Sequence, residues 1–146
     1  MIHSDRAERL AEYLAGVGAD ARFWPNDHCL LYLARWAGIV RPDFDASVYE
    51  CRVAGRVSAH RLLLASGGVE PLLNAQATAA GFERVDAAGA GLGAIGLIRV
   101  PRVERPGHMT FGCIRTPRRW AIRSHDGVVS LSADTIKVQP HMVWNV

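Results

Sequence analysis

The chain has 146 residues, of which 49% are hydrophobic and 21% are charged, and its formal net charge is +3. This length suits a single domain, 1–146, that buries about two thirds of the surface its unfolded form would expose. The balance of apolar and charged residues excludes a wholly disordered protein. No apolar window reaches the roughly 18 residues of a membrane-spanning helix. Charges at Asp5, Arg6 and Glu8 stand where a secretory signal would have its apolar run, so we expect no signal peptide and synthesis in the cytoplasm.

The spacing of apolar residues predicts helices in the first half of the chain, about 1–81. Ser4 can cap a first helix, whose apolar positions are Leu10, Tyr13, Leu14 and Val17 before Gly16 and Gly18 break the pattern. The segment HCLLYLARWAG is apolar on most of its surface, which predicts a second, buried helix ending at Gly38. Two more helices are expected, from Ser58 through Leu64 to the Gly67 and Gly68 pair, and from Pro71 to about Ala80 with Gly81 as its stop.

From about residue 82 to 146, glycines and prolines separate short β-rich runs. The predicted strands are 96–100, 109–115, 120–123, 128–131 and 142–146. Helices followed by strands are typical of an α+β fold. We therefore expect the N-terminal helices to pack on a C-terminal antiparallel meander of about five or six strands.

Seven arginines lie within residues 99–123, where Glu104 is the only acidic residue: Arg99, Arg102, Arg105, Arg115, Arg118, Arg119 and Arg123. Such a patch can meet nucleic acid, an anionic glycan or an acidic protein. Because no aromatic ladder accompanies the arginines, a solvated face of the sheet is favoured and a nucleic-acid partner is not expected.

Two motifs that often bind ligands lack their structural context here. The glycines Gly91, Gly93 and Gly96 satisfy G-x-G-x-x-G, but a strand-like LIRVP follows them where a dinucleotide site needs a helix, so a loop leading into the sheet is predicted. The three cysteines form no CxxC pair, and the six histidines form no H-x-x-x-H pair. We expect reduced cysteines, no cofactor and no metal, short of a site assembled from distant residues.

Cys29 opens the buried second helix. Unpaired N–H groups and the positive end of the helix dipole favour a thiolate at this position, as nucleophilic chemistry requires. The alternative is a small apolar residue packed at a helix end.

The residues around Cys29 resemble a known signature. Phe23 and Trp24, then four residues, then a cysteine opening an apolar helix resemble the WG-x-x-D-C motif of a phage-tail domain family related to the NlpC-type cell-wall peptidases. LLLASGGVEPLL, GAIGLIRV, MTFGCI and the closing WAIRSHDGVVSLSADTIKVQPHMVWNV resemble further segments, so the likeness covers nearly the whole chain. The departures are Pro25 in place of glycine and His28 in place of aspartate, which has moved to Asp27.

The resemblance implies a papain-like (NlpC-type) fold and catalytic positions. Cys29 would be the nucleophile, and the base, two residues before a glycine in an HxG arrangement, falls on Thr110. His108 lies two residues earlier, displaced by roughly 7 Å along a strand, so it serves as base only if the strand slips or bulges at Gly107. The orienting third residue would fall near 121–123, where no His, Asn or Gln stands.

Two functions follow as expectations from this resemblance. The first is a structural protein of a phage or gene-transfer-agent tail tip or baseplate, a degenerate papain-like scaffold made in the host cytoplasm, located in the virion tail and bound to other tail proteins. The alternative is a cysteine peptidase or amidase that cleaves peptidoglycan through Cys29, with His108 as base and backbone N–H groups stabilising the oxyanion.

Overall fold

The computed structural model describes residues 3–19, 29–44, 68–124 and 127–146. The helices in these ranges are α1 (His3–Ala19), α2 (Cys29–Val40) and α3 (Val69–Ala79). The strands are β1 (Glu83–Val85), β2 (Ile95–Pro101), β3 (His108–Arg115), β4 (Arg119–Ser124), β5 (Gly127–Ser132) and β6 (Met142–Asn145). The helix expected from Ser58 to Leu64 lies outside the described residues. The α+β class is confirmed, and the described residues contain three helices and one six-stranded antiparallel sheet.

The first two helices continue through glycines that were expected to end them. α1 runs through Gly16 and Gly18 to Ala19, and α2 runs through Gly38 to Val40. A glycine costs a helix only about 1 kcal/mol relative to alanine, which burial of the apolar positions on either side outweighs. α3 begins two residues before Pro71 and ends at Ala79, and Gly81 takes a φ of +77°, so its predicted stop is confirmed.

The five predicted strands are present, each within one residue of its expected ends. Their order in the sheet is β1-β6-β2-β3-β4-β5, and every neighbouring pair is antiparallel. The predicted meander therefore holds for β2 to β5 only, because β6 returns across the sheet to lie beside β2. β1 was not predicted; it pairs with β6 at the sheet edge.

The sheet separates two apolar clusters. The face toward the helices, here called the helix face, buries strand residues Ile95, Leu97, Ile114 and Trp144 against residues of all three helices. The opposite face buries a smaller cluster of Ala94, Ile98, Cys113, Trp120, Ile122 and Val143. Because side chains alternate along a strand, neighbours in sequence such as Cys113 and Ile114 lie in different clusters.

Two glycines of the G-x-G-x-x-G motif have a packing role. A Cβ on Gly93, whose φ is +83°, would lie 3.0 Å from the indole of Trp36, and a Cβ on Gly96 would lie 2.8 Å from the backbone oxygen of Met142. Trp36 also donates from Nε1 to the Gly93 carbonyl at 2.8 Å. These glycines thus let the chain pass close to α2 and β6. Among the described residues no helix is both long and apolar enough for a transmembrane segment.

Candidate functional site

Cys29 is the first residue of α2, and two hydrogen bonds define the direction of this helix on the sheet. Tyr32 donates from its hydroxyl to the Ala121 carbonyl on β4 at 2.8 Å, and Trp36 reaches Gly93, just before β2. Following α2 backwards from Trp36 through Tyr32 leads away from Gly93. The N-terminal end of α2 is therefore directed away from the start of β2, on the side of the helix face that contains β4.

The side chain of Cys29 lies outside the described part of the chain, as do Trp24, Pro25, Asp27 and His28. The altered motif before Cys29 is therefore known from the sequence alone. The described residues do include three positions that the resemblance names, those expected to hold the base, its substitute and the orienting residue.

Thr110, the position that the resemblance assigns to the base, lies on the helix face. It is opposite Arg99 in the register of β2 and β3, and it is half-buried. Its hydroxyl Oγ1 donates to Oε1 of Glu70 at 3.5 Å. A hydroxyl beside a carboxylate supplies a weak hydrogen bond and cannot take a proton from a thiol at ordinary pH.

Glu70, in the first turn of α3, is the centre of a polar cluster, which we call the Glu70 cluster. Its Oε1 lies 3.1 Å from Nη2 of Arg99, 3.5 Å from Oγ1 of Thr110 and 3.6 Å from Nε2 of His141. Partial burial by itself raises the pKa of Glu70, but the residue's own backbone N–H, the Arg99 guanidinium and His141 together outweigh burial, so the pKa lies below its ordinary value of 4.5. Glu70 is therefore a carboxylate at neutral pH.

Sequence reasoning did not predict this cluster, because Glu70 and His141 are distant along the chain. They meet because β6 returns to β2: Met142 pairs with Leu97, and the backbone N–H of His141 donates to the Leu97 carbonyl at 3.0 Å. The position of Glu70 in a first helical turn was the one available signal, since acidic residues favour that end of a helix.

His108 is the first residue of β3 and is exposed. The pairing of β3 with β2 is continuous from His108 opposite Pro101 to Ile114 opposite Ile95. The described pairing thus contains no slip or bulge that would move His108 into the place of Thr110.

The positions expected to hold an orienting residue contain different groups. The Ala121 carbonyl accepts the hydrogen bond from Tyr32, and Arg123, two residues along the same face of β4, is 0% exposed. Because a guanidinium stays protonated in proteins, a permanent positive charge lies inside the helix face here.

The seven arginines do not form one solvated face, which corrects that expectation. Arg123 is buried, Arg99 pairs with Glu70, and Arg115 lies on the opposite face with its guanidinium 5.7 Å from the Trp120 ring centre. The alternation of strand residues divides them between the two faces and the hairpin tips.

Cys113 is fully buried on the opposite face, and burial raises the pKa of its thiol far above the ordinary value. It is therefore not a candidate nucleophile. Within the described ranges no three His, Cys, Asp or Glu side chains come together as a metal site would need.

No family model, no curated protein and no solved structure matches the chain.

Proposed function

We propose that this chain is a structural component of a phage or gene-transfer-agent tail tip or baseplate, built on a papain-like scaffold that has lost its peptidase chemistry. The observation that carries the loss of chemistry is the environment of Thr110. The place where the resembled peptidases hold their base has a hydroxyl directed at Glu70.

The arrangement of α2 on the sheet supports the papain-like part of the proposal. A helix that starts with a cysteine crosses the helix face, where Tyr32 bonds to Ala121 of β4 and Trp36 bonds to Gly93 before β2. The resemblance assigns the same parts to the same order along the chain: a cysteine-opened helix, a second helix after two glycines, then the core strands.

The Glu70 cluster supports the loss of catalysis. The carboxylate accepts from Thr110 and pairs with Arg99, so these polar groups satisfy one another. Arg123 adds a buried cation at the third position. Neither the hydroxyl of Thr110 nor the guanidinium of Arg123 can accept the proton of a thiol, so the positions that the resemblance assigns to the base and the orienting residue hold no general base.

An exposed hairpin tip supports contact with other proteins. The backbone N–H of Arg102 donates to the Gly107 carbonyl at 2.9 Å and closes the loop between β2 and β3, while Val103 within this loop is 99% exposed. An apolar side chain held in water at a loop tip gains free energy when a partner covers it.

Purified particles test the structural role directly. We expect mass spectrometry of purified tails to detect this chain at a fixed copy number, and Val103→Glu to lower its incorporation. Val138→Glu, at a position that is 36% exposed, is the control that should incorporate normally. Absence of the chain from purified particles would remove the tail proposal.

The alternative function, a peptidoglycan-cleaving cysteine peptidase, is favoured by one observation: Cys29 is the first residue of α2, where a thiolate is stabilised. Digestion of purified peptidoglycan separates the two functions. We expect no released peptides from the native chain, from Cys29→Ala or from His108→Ala. Turnover by the native chain that both substitutions abolish would establish the peptidase and overturn the loss of chemistry.

A further inference from the structure

The face of the sheet away from the helices carries a cleft of about 380 Å³. Its lining includes three alanines, one aromatic residue and two charged residues: Ala87, Ala88, Ala133, Trp120, Arg115 and Asp134. Both the size and the mixture of apolar walls with a few polar groups are typical of small-molecule sites. This cleft is separate from the helix face and from the residues of the proposed function.

Arg115 lines the cleft and supplies its positive charge. Its guanidinium lies 5.7 Å from the ring centre of Trp120, and its Nη1 atom is buried and has no hydrogen-bond partner among the described residues. Buried donors are nearly always paired in folded proteins. A planar guanidinium is best satisfied by a carboxylate, which accepts two parallel N–H donors.

Asp134 lines the same cleft but does not neutralise Arg115. The side chain is exposed, and the ion pairs found in the described part of the chain do not include one between Asp134 and Arg115. Two opposite charges that share a cleft without pairing can hold the two ends of a zwitterion. A second carboxylate on the ligand would instead be repelled by Asp134.

The walls of the cleft are held by hydrogen bonds of their own. Asp86 accepts from the Gly89 backbone N–H at 2.8 Å and fixes the turn that contains Ala87 and Ala88. Gln139 donates from Nε2 to the Ala133 carbonyl at 3.2 Å and fixes the opposite wall. A cleft that is formed before the ligand arrives loses less entropy on binding.

We propose that this cleft binds a free α-amino acid with an apolar side chain. The carboxylate bonds to Arg115, the ammonium group faces Asp134, and the side chain contacts Trp120 and the alanine walls.

Three matched probes test each contact: L-alanine, N-acetyl-L-alanine, which lacks the ammonium charge, and L-alaninamide, which lacks the carboxylate. We expect titration followed by backbone NMR to show saturable binding of L-alanine, with shifts centred on Trp120 and Ala133. The two blocked probes should bind at least about tenfold more weakly, since each loses a charge-assisted hydrogen bond.

Substitutions assign the two charges. Arg115→Gln and Asp134→Asn should each weaken L-alanine binding by about tenfold or more, whereas Arg118→Gln, at an exposed arginine outside the cleft, should leave it unchanged. Asp134 is exposed, so its variant stays folded, and circular dichroism checks the fold of the Arg115 variant. Equal binding of L-alanine and N-acetyl-L-alanine, or no saturable binding of L-alanine by the native chain, would overturn the proposal.

Discussion

The same strands form both faces of this sheet, but the two faces present different chemical groups. On the helix face, apolar residues from three helices cover the centre, and the Glu70 cluster lies where β2 and β3 approach the loop between them. On the other face, a smaller apolar cluster is covered by a short turn and a loop, and an open cleft remains beside Trp120. Helices seal one face and leave a polar cluster at its margin, while loops leave the other face accessible to a small ligand.

The cysteines show the same contrast. Cys29 begins a helix, where a thiolate is favoured, and Cys113 lies within a strand, where burial disfavours the thiolate. The residue type alone therefore says little about reactivity, and the backbone position decides it.

The largest expected effect concerns the thiol of Cys113. In a Cys29→Ser, Cys51→Ser variant, we expect the remaining thiol to react with a disulfide reagent at least about 10³-fold more slowly in the native state than in denaturant, because labelling requires opening of the fold. The reaction is followed by absorbance at fixed pH. Rapid labelling of the native variant would contradict the burial of Cys113.

Next in size are the tryptophans that fill the two faces. Trp36→Ala should lower the free energy of unfolding by about 3–5 kcal/mol, and Trp120→Ala should fall at the low end of that range because water can enter from the adjoining cleft. Urea unfolding measures both. A larger loss in the free energy of unfolding for Trp120→Ala than for Trp36→Ala would contradict the expectation that the adjoining cleft lowers the cost of removing Trp120.

A smaller effect is expected at Gly96, where β2 passes close to the backbone of β6. Gly96→Ala places a methyl group 2.8 Å from the Met142 backbone oxygen and should cost about 1–3 kcal/mol. The matched control is Gly16→Ala, which meets no atom within 4 Å and should stabilise α1 by about 0.5–1 kcal/mol. Thermal unfolding of the pair separates crowding from helix propensity, and destabilisation by both would contradict this explanation.

The smallest effect concerns Glu70. Its pKa is lowered in the folded state, so its ionised form adds stability that is complete above the ordinary value of 4.5 and is lost as the pH falls through the folded pKa. Glu70→Gln should cost about 0.5–1 kcal/mol at pH 7, where Arg99 pairs with the ionised carboxylate, and less at pH 2. Urea midpoints at both pH values measure this, with Glu104→Gln in the exposed loop as control. A loss that is equal at pH 2 and pH 7 would show that charge is not its cause.

Several parts of the fold were predictable because their signal is local. The strands β2 to β6 were located to within one residue, since β-branched and aromatic runs are bounded by glycine, proline and aspartate. β1 was missed because its three residues are too short to show alternation, and it exists through its pairing with β6. The glycine stops of α1 and α2 were wrong because packing outweighed a small local preference.

The candidate site divides in the same way. The start of α2 at Cys29 was predicted from the apolar run that follows it, and Thr110 was assigned to the base position through the resemblance. The partner of Thr110 was not predicted, because Glu70 reaches it only when α3 packs over β2 and β3. His141 joins them through the return of β6.

By itself, the sequence determined a helical half, a strand half and a cysteine at the start of a helix, because periodicity and turn residues act over a few neighbours. Only the tertiary structure decided that β6 lies between β1 and β2, that Thr110 meets Glu70, and that Arg115 and Asp134 share a cleft. These arrangements depend on contacts between segments distant in the chain, whose free energy comes from burial and pairing and is not written in any one local pattern.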